Sequence, residues 1–519
     1  MRDSVNSPAA NFIARHGAVI AAAVAGLVAL PSLGLPFLSD DWANLATVEN
    51  GIAGRTPFNY FRPLYLASYW AENRIWGLSP SLSHLMNLLL VALVAALVVI
   101  LTRRYTQDAR LAALAGVLFA IHPYHVENIA WIAGRSDSMC AAFVLLGALL
   151  YDRWRETCRG LPIAAFLSFE AALLSKESAI VLPVFLILLG LCDRRRRASR
   201  AEWARGVLPM VAIALVHFMW LRPPALTGPG IEVASAMGPA GLKRFGDYLT
   251  AALLPAQGET IESHPRIWFG AAVLVGLAIV AVVRRSASRI PPLVWVSSAA
   301  FIVLLGPAIV VSFQQRYYLL PSAASAVALA ALLLSMRDRT RVVIGTLLAV
   351  GWLIALGAQW TGWLDAGQAS KRLISGLVDA SRAPNIREIV VANAPNRIHG
   401  QPVAGDWASA VRLSGGRSVK VVTAPSVDYA TARDTILAGP RDEAVRSAPA
   451  FVEINSVIPR RRYFRYVTPQ IPAGSDRVER DYATIELGPD GAMHVRVVPA
   501  EDGSRAAFLW SAGRLERLF

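Results

Sequence analysis

Long apolar runs, separated by short polar turns, fill the first two thirds of the chain. A bilayer core about 30 Å thick is crossed by about 20 apolar helical residues. We therefore predict a multi-span α-helical membrane protein with about 11 transmembrane helices. The predicted helices lie at about residues 17–35, 84–102, 110–122, 138–152, 161–175, 178–192, 205–221, 267–283, 291–311, 317–336 and 342–358.

Turns that carry several arginines alternate with turns that carry few. Arginine-rich loops are typically cytoplasmic, and the loops between them lie on the outer face. The alternation predicts a cytoplasmic amino terminus and an extracytoplasmic carboxyl-terminal region. The first apolar run is long and many others follow, so we interpret it as a retained helix rather than a cleaved signal. The segments predicted on the outer face are 36–83 (the first outer loop), 123–137, the Lys176-Glu177 turn, 222–266 and Gln314–Tyr318. Within 222–266, residues Leu242–Leu254 predict a further helix on or in the membrane surface.

The pattern changes at about residue 365, where apolar and polar positions begin to alternate. We predict a membrane domain over residues 1–364 and a soluble extracytoplasmic α/β domain over 365–519. Its predicted elements are a short helix at Lys371–Ala380, strands at Glu388–Ala392, Val419–Thr423, Phe451–Val457 and Tyr463–Val467, and two hairpins. The hairpins pair Ala483–Leu487 with Ala492–Val498 across Gly488–Gly491, and Ala507–Trp510 with Arg514–Leu518 across Ala512-Gly513.

Composition supports a membrane protein and excludes several other classes. Hydrophobic residues make up 55% of the chain, and the mean hydropathy is +0.44. The net charge of +15 comes largely from arginines in turns, so we expect no nucleic-acid partner.

The three cysteines, Cys140, Cys158 and Cys192, show no disulfide or metal-knuckle spacing. The sequence contains no Walker loop, dinucleotide fingerprint, nucleophile elbow or zincin helix, which argues against a nucleotide-driven pump and a soluble-type hydrolase. Usage rich in Ala and Arg suggests a bacterial inner membrane.

Two adjacent carboxylates, Asp40 and Asp41, follow the first apolar run directly. Carboxylates so close to a membrane exit need water, a cation or a substrate. One of them could take a proton from an acceptor hydroxyl, while the other orients that hydroxyl or binds a metal. The structural alternative is the solvated face of an interfacial helix pair, which the aromatic residues between Tyr60 and Trp76 favour.

The second outer loop holds three possible metal ligands, His122, His125 and Glu127. They lack the spacing of a helical zinc site, so a divalent cation stays an open possibility. In the same loop we expect Arg135 and Asp137 to pair with each other, and Arg135 is able to hold a phosphate.

Two further charged positions lie in outer turns. Lys176 and Glu177 form an ion pair with each other or with neighbours, or else Lys176 faces an anionic substrate. Arg316, followed by Tyr317, lies at the outer end of a late helix, where a cation is suited to clamp a phosphate.

Eight short motifs together resemble a known family, the transmembrane and tetratricopeptide-bearing protein O-mannosyltransferases, whose membrane part is a glycosyltransferase of the GT-C type. The resemblance covers about residues 15–365. The motifs are Phe37–Asp41, Tyr60–Leu64, His84–Leu90, Phe119–Trp131, Gly134–Asp137, Leu174–Ser178, Arg316–Ser322 and Trp360–Asp365. The family's tetratricopeptide repeats are absent from this chain, which has the α/β region in their place.

The resemblance implies transfer of a sugar, usually mannose, from a polyprenyl- or dolichyl-phosphate to an acceptor hydroxyl, with inversion of the anomeric centre. It implies that Asp40 or Asp41 is the base, and we slightly prefer Asp41. Arg135, Lys176 and Arg316 are the expected ligands of the donor phosphate. The other residues expected to contact substrate are Arg62, His122, His125, Glu127, Asp137, Glu177 and Tyr317.

Several alternatives stay open at this point. The acceptor is a protein, a lipid or a glycan, and membrane lipid is the other expected partner. No cofactor is required by the motifs, although a divalent cation is possible. A transporter or flippase of a polyprenyl-linked precursor, or a non-catalytic membrane scaffold, are the competing functions.

Overall fold

The apolar runs fold into helices and the polar region after them folds mainly into strands, in a computed structural model of the chain. The chain divides into two compact units. We call Met1–Gly34 with Thr47–Gln359 the membrane unit, and Leu35–Ala46 with Trp360–Phe519 the tail unit. The structure describes residues 8–193, 199–221, 238–255, 290–311, 313–403, 405–424, 426–429, 443–448, 451–456, 464–467, 477–487, 493–511 and 513–519, with scattered helical positions between 266 and 281.

Each predicted membrane run that the structure describes coincides with a helix; the run at 267–283 lies largely outside the described residues. The helices before the tail region are α1 (Pro8–Ala29), α2 (Asp40–Val48), α3 (Pro63–Trp76), α4 (Pro80–Thr106), α5 (Ala109–Ala120), α6 (His125–Ala130), α7 (Arg135–Thr157), α8 (Ile163–Ser175), α9 (Leu182–Cys192), α10 (Arg200–Glu202), α11 (Leu208–Val216), α12 (Pro239–Leu253), α13 (Pro292–Ile309), α14 (Leu319–Ser335) and α15 (Asp338–Ser381).

Seven helices of the described part are long and apolar enough to cross a membrane, which confirms a multi-span α-helical membrane protein. Shorter apolar helices at Ala109–Ala120, Ile163–Ser175 and Glu177–Leu191 account for three more of the predicted runs. The long helices are Arg15–Gly34, Pro80–Thr106, Ile132–Thr157, Arg200–Met219, Pro292–Ile309, Gln315–Ser335 and Asp338–Ser381.

Local sequence explains where several helices begin. Proline occupies an early position of α3 and of α4, where its fixed φ suits the first turn and its missing N–H is not needed. The carboxylate of Asp108 accepts hydrogen bonds from the backbone N–H groups of Arg110 and Leu111 and so caps α5. Gly116 allows α5 to approach α4 closely, because an added Cβ would lie 2.2 Å from Val99 Cγ2.

The loops predicted on the outer face contain helices of their own. The first, 36–83, includes α2 and α3, and the second, 123–137, includes α6 and a 3₁₀ turn at Ile132–Gly134. The helix predicted at Leu242–Leu254 is α12, and the remainder of 222–266 lies mostly outside the described residues.

The short helix predicted at Lys371–Ala380 is not a separate element. It is the last part of α15, which runs unbroken for 44 residues from Asp338 to Ser381. No proline interrupts this stretch before Pro384, so nothing in the sequence ends the helix near residue 365.

Among the described residues that follow α15, the tail unit consists of three sheets and a short helix. The predicted strands are confirmed within one or two residues, whereas Val457, Tyr463, Gly488–Gly491 and Ala512 lie outside the described residues. Sequence reasoning missed β2, β3, β5, β6, β9 and the helix α16 (Trp407–Leu413). The strands are β1 (Glu388–Ala392), β2 (Ala394–Ile398), β3 (Gln401–Pro402), β4 (Lys420–Thr423), β5 (Ser426–Tyr429), β6 (Glu443–Ala448), β7 (Phe451–Ser456), β8 (Phe464–Val467), β9 (Arg477–Glu479), β10 (Ala483–Leu487), β11 (Met493–Val497), β12 (Arg505–Ser511) and β13 (Arg514–Arg517).

Strand order gives the tail unit its α/β character. The first sheet has the order β13-β12-β1-β4, in which β1 runs parallel to both β12 and β4. The second, β6-β7-β11-β10-β9, is antiparallel, and the third has the order β3-β2-β5-β8. Alternate residues of β1, β10, β11 and β12, among them Val390, Ile485, Val495 and Leu509, form one buried apolar cluster.

A charged group links the parallel strands at their amino-terminal ends. Glu388 of β1 accepts a hydrogen bond from Arg505 Nε of β12 at 2.5 Å and forms an ion pair with Lys420 Nζ of β4 at 2.7 Å. Burial raises the pKa of Glu388, but the two cations outweigh that effect and hold the pKa below its usual value. The ionised carboxylate therefore stabilises the sheet at neutral pH, and this contribution disappears as the pH falls through the lowered pKa.

We expect Glu388→Gln to destabilise this sheet at pH 7 by about 1–2 kcal/mol, the scale of a charge-assisted hydrogen bond. The difference from the wild type should shrink as the pH falls through the lowered pKa of Glu388, because the wild-type carboxylate is then protonated too. Hydrogen exchange of the β1 and β12 amides in the full-length protein measures it. Glu479→Gln, at a carboxylate 66% exposed, is the control and should change exchange little. Equal exchange in Glu388→Gln and wild type at pH 7 would contradict the assignment.

Candidate functional site

Three cations of the membrane unit gather around the side chain of Tyr317. Lys176 Nζ lies 4.2 Å and the Arg316 guanidinium 4.9 Å from the centre of the Tyr317 ring. Arg62, which precedes α3, lies close enough to the Tyr317 hydroxyl for an electrostatic interaction. We call these four residues, with the three carboxylates described next, the Tyr317 ion cluster. The structure thus brings together residues from α3, the end of α8 and the turn before α14, which are far apart in sequence.

Each cation has a carboxylate partner. Lys176 and Glu177 pair with neighbours rather than with each other, because adjacent residues at the end of α8 point in different directions. Asp137 also lies 3.7 Å from Arg316 Nε and so connects two of the pairs. The pairs are Arg62 Nη2 with Glu177 Oε1 at 2.8 Å, Lys176 Nζ with Asp137 Oδ1 at 2.5 Å, and Arg316 Nη1 with Glu127 Oε1 at 2.8 Å.

Exposure differs between the pairs of the Tyr317 ion cluster. The Lys176 and Asp137 side chains are only 6% and 8% exposed, whereas Arg62 is 14% and Glu177 26% exposed. Burial lowers the pKa of Arg62, but Glu177 outweighs burial and the pKa lies above its ordinary value, so the group stays charged. Three positive and three negative side chains leave the cluster close to neutral, with Arg62 and Glu177 as its most accessible pair.

Arg135 lies apart from this cluster, and the expected pair of Arg135 with Asp137 is wrong. Residues two apart on an α-helix do not face each other. Arg135 instead bonds to Glu72 at 2.5 Å and is only 1% exposed. Its remaining N–H groups donate to the Asn87 side chain, the Ser68 hydroxyl and the Ser83 carbonyl. The guanidinium is therefore fully engaged in joining α3, α4 and α7.

His122 and His125 are packed among aromatic side chains. Their rings lie 5.4 Å apart, and His125 Nε2 is 2.8 Å from the Ser322 hydroxyl. Burial lowers the pKa of His125 to about 3 and that of His122 well below its ordinary value, so both rings are neutral at physiological pH. Within the described residues no three His, Cys, Asp or Glu side chains are grouped as metal ligands.

An apolar cavity of about 990 Å³ opens beside these histidines in the membrane unit. Residues of α5, α12, α13, α14 and α15 line it, and most of them are aliphatic or aromatic. Its polar lining includes His122, Ser322 and Ser325. Ser322 follows Arg316 by six residues, so it lies about 9 Å along the helix axis from the Tyr317 ion cluster.

Asp40 and Asp41 belong to the tail unit and begin α2, where the helix dipole favours negative charge. Asp41 is fully buried, and its carboxylate accepts a hydrogen bond from the Leu38 backbone N–H at 2.9 Å. Asp40 is half-buried, and the Ser39 hydroxyl donates to its Oδ1 at 3.3 Å. Asp41 therefore shapes the turn into the helix, and Asp40 is the more accessible carboxylate.

Two residues that contact the buried arginines were given no role from the sequence: Glu72, which pairs with Arg135, and Trp131, which lies against Arg316. Glu72, the partner of Arg135, is the lone acid of α3, and an acid within a helix that is otherwise mostly apolar and aromatic was a usable signal. Trp131, whose ring lies 4.4 Å from the Arg316 guanidinium, gave no such signal because its neighbours are apolar.

Comparison with known proteins finds related sequences in one group. No protein-family model matches the chain. Protein O-mannosyl-transferase Tmtc1 of Drosophila melanogaster is 36% identical over 160 residues, covering 30% of this chain and 17% of the relative. Tmtc2 of the same organism is 33% identical over 218 residues (39% and 22%), and human TMTC2 is 35% identical over 121 residues (23% and 14%).

The aligned part thus spans less than a quarter of these relatives' length, and it confirms the resemblance predicted from the motifs. Among solved structures, the archaeal oligosaccharyltransferase AglB from Archaeoglobus fulgidus, in complex with an inhibitory peptide and a dolichol-phosphate, has a TM-score of 0.38. It is 12% identical, and the match covers 96% of this chain and 77% of that one.

We expect Arg135→Met to destabilise the membrane unit by about 3–5 kcal/mol, because Glu72 would be left as an unpaired buried charge. Glu72→Gln should cost a similar amount, and the double variant should cost less than the sum of the two. The midpoint of heat-induced loss of monodisperse protein in detergent measures the effect. Lys243→Met, at a lysine 68% exposed, is the matched control. An unchanged midpoint in Arg135→Met would show that the pair does not stabilise the fold.

Proposed function

We propose that the chain is a GT-C-type membrane glycosyltransferase, which moves a mannose-like sugar from a polyprenyl- or dolichyl-phosphate donor to an acceptor hydroxyl. The proposal rests chiefly on one observation: the Tyr317 ion cluster takes Arg316 and Tyr317 from the turn directly before α14, and α14 itself lines the apolar cavity. A lipid-phosphate donor is an anion attached to a long apolar chain, and it needs both features in one place. The relatives are named as protein O-mannosyl-transferases, which supports mannose as the sugar and a protein hydroxyl as the acceptor.

Arg62 and Arg316 bind the donor phosphate in this proposal. Guanidinium groups suit phosphate oxygens because they donate two parallel hydrogen bonds. Lys176 is less exposed and is held by Asp137, so it contributes its charge rather than direct contact. A phosphate that enters a neutral cluster must displace a carboxylate, and Glu177, the most exposed of the three at 26%, is the group that yields.

Arg135, His122 and His125 are left out of direct phosphate binding. The donors of Arg135 are already engaged, and neutral histidines add no positive charge. His122 and Ser322 instead mark the polar end of the cavity, and the prenyl chain occupies its apolar part.

Asp40 is the general base of the proposed reaction, in place of the sequence-based preference for Asp41. The acceptor oxygen attacks the anomeric carbon while the bond from that carbon to the phosphate oxygen breaks. The acceptor proton passes to Asp40, and the phosphate leaves with the bonding electron pair, stabilised by the arginines. Attack opposite the leaving group inverts the anomeric centre.

The proposed orientation follows the arginine pattern. The amino terminus is cytoplasmic, and the acceptor approaches from the extracytoplasmic side of a bacterial inner membrane. A lipid-linked donor fits that side, where soluble nucleotide sugars are not supplied.

We expect Asp40→Asn to reduce sugar transfer by about 10²–10⁴-fold, the usual contribution of a general base, without loss of folded protein. Purified full-length protein with polyprenyl-phosphate-linked radiolabelled mannose and a threonine-containing peptide provides the assay. Glu49→Gln, at a carboxylate of the same first outer loop, serves as control and should stay active. Full activity of Asp40→Asn, Asp41→Asn and the double variant would refute the proposal, and lipid-sugar movement across vesicles without transfer product would favour a transporter.

We expect Glu177→Gln to lower the KM for the donor by up to about fivefold, because a partly exposed competing carboxylate is removed from Arg62. Arg62→Gln should raise the same KM, and neither variant should alter the KM for the peptide. Initial rates over a series of donor concentrations separate these outcomes. A raised donor KM in Glu177→Gln would mean that this carboxylate helps to hold the donor.

A further inference from the structure

The segment that carries Asp40 is packed against two elements of the tail unit. The Ser39 backbone N–H donates to the Val403 carbonyl at 3.3 Å, next to the end of β3. On the other side, Gly367 of α15 approaches the segment so closely that an added Cβ would lie 2.7 Å from Leu35 Cδ2 and 3.1 Å from Pro36 Cδ. The position of Asp40 within the tail unit is therefore set by the β2–β3 hairpin and by α15.

A histidine–carboxylate pair joins the same two elements. His399, in the turn of the β2–β3 hairpin, has its Nε2 3.1 Å from Oδ2 of Asp365, which lies two residues before Gly367 on α15. The two side chains are 19% and 25% exposed, so the pair lies at the surface rather than in the core. His399 has a φ of 52°, a left-handed conformation that is uncommon outside Gly, Asn and Asp.

The β2–β3 hairpin connects the His399–Asp365 pair to the segment that carries Asp40. His399 follows the pairing of Ile398 with Gln401, one step beyond the pairing of Arg397 with Pro402. The turn therefore lies about 7 Å along the hairpin from Val403, which contacts Ser39. His399 is thus connected to the neighbour of Asp40 through the hairpin backbone and the Ser39–Val403 hydrogen bond.

We infer that His399, oriented by Asp365, binds the acceptor at the Asp40 site. The inference rests on the proposed function and adds to it a residue from the part of the chain outside the family resemblance. With Asp365 accepting from Nε2–H, Nδ1 carries the lone pair and accepts a hydrogen bond from an acceptor hydroxyl or amide. Asp40 then takes the proton from a hydroxyl that His399 has helped to place. The acceptor is a polypeptide with Ser or Thr hydroxyls, so the tail unit supplies both the base and an acceptor contact.

Variants of His399 in the full-length protein test the role through transfer kinetics. We expect His399→Gly, which suits the left-handed φ, to raise the KM for a threonine-containing peptide about tenfold and to leave the donor KM unchanged. His399→Asn keeps a hydrogen-bond acceptor, tolerates the same φ, and should recover part of the loss. Asp365→Asn should raise the peptide KM less than His399→Gly does. Arg397→Gln, an exposed position of the same hairpin, is the matched control and should behave as wild type.

Protection of His399 from chemical modification tests acceptor binding without relying on catalysis. Carbethoxylation of His399, followed by mass spectrometry, should be slowed by the peptide and not by polyprenyl phosphate alone. Equal changes in both KM values, or no protection by the peptide, would overturn the inference. If Asp40→Asn is inactive while His399→Gly transfers like wild type, the inference fails and the proposed function stands. If the peptide protects His399 while Asp40→Asn stays fully active, acceptor binding stands and the proposed base is wrong.

Discussion

A charge buried between apolar helices must be paired, and this requirement organises the membrane unit. The Arg135–Glu72 pair joins three helices through a guanidinium whose donors are all engaged, and the Lys176–Asp137 pair ties the end of α8 to the start of α7. Breaking one member of such a pair leaves an uncompensated charge, so the helices are fixed in register by electrostatics as well as by packing. The Tyr317 ion cluster extends the same principle to a place where the pairing is partly exposed. Because of this exposure the charged groups of the Tyr317 ion cluster can exchange partners, whereas the buried Arg135–Glu72 pair only holds the fold together.

Much of the architecture was predictable because its signals are local. An apolar run of about 20 residues predicts a membrane helix whatever surrounds it, and a Gly-Pro-Asp-Gly turn predicts a hairpin from its own residues. The acidic pair at Asp40-Asp41 and the cations at Lys176 and Arg316 could be singled out for a similar reason, since charge next to an apolar run is conspicuous. The family resemblance then supplied the chemistry that these residue types alone left open.

What the sequence could not provide was pairing over long separations. Arg135 was matched with Asp137 because they are neighbours in sequence, whereas its partner Glu72 lies 63 residues away. The parallel pairing of β1 with β12 joins residues 117 positions apart, and no local pattern indicates it. The end of α15 was placed too early, because a drop in hydropathy was interpreted as the end of a helix although no helix-breaking residue accompanies it. Burial likewise distinguishes Asp40 from Asp41, which their adjacency in sequence does not.

The membership of Leu35–Ala46 in the tail unit has a consequence for the order of assembly. This segment leaves the ribosome early, yet its packing partners at Gly367 and Val403 are made more than 300 residues later. During synthesis the first helices can enter the membrane while the acidic pair has only its local contacts. The carboxylates reach their final setting when the last third of the polypeptide has folded around them. A chain released early would therefore contain its membrane helices but not the fixed acidic turn. The turn becomes ordered only after Gly367 and Val403 have been synthesised and have folded against it.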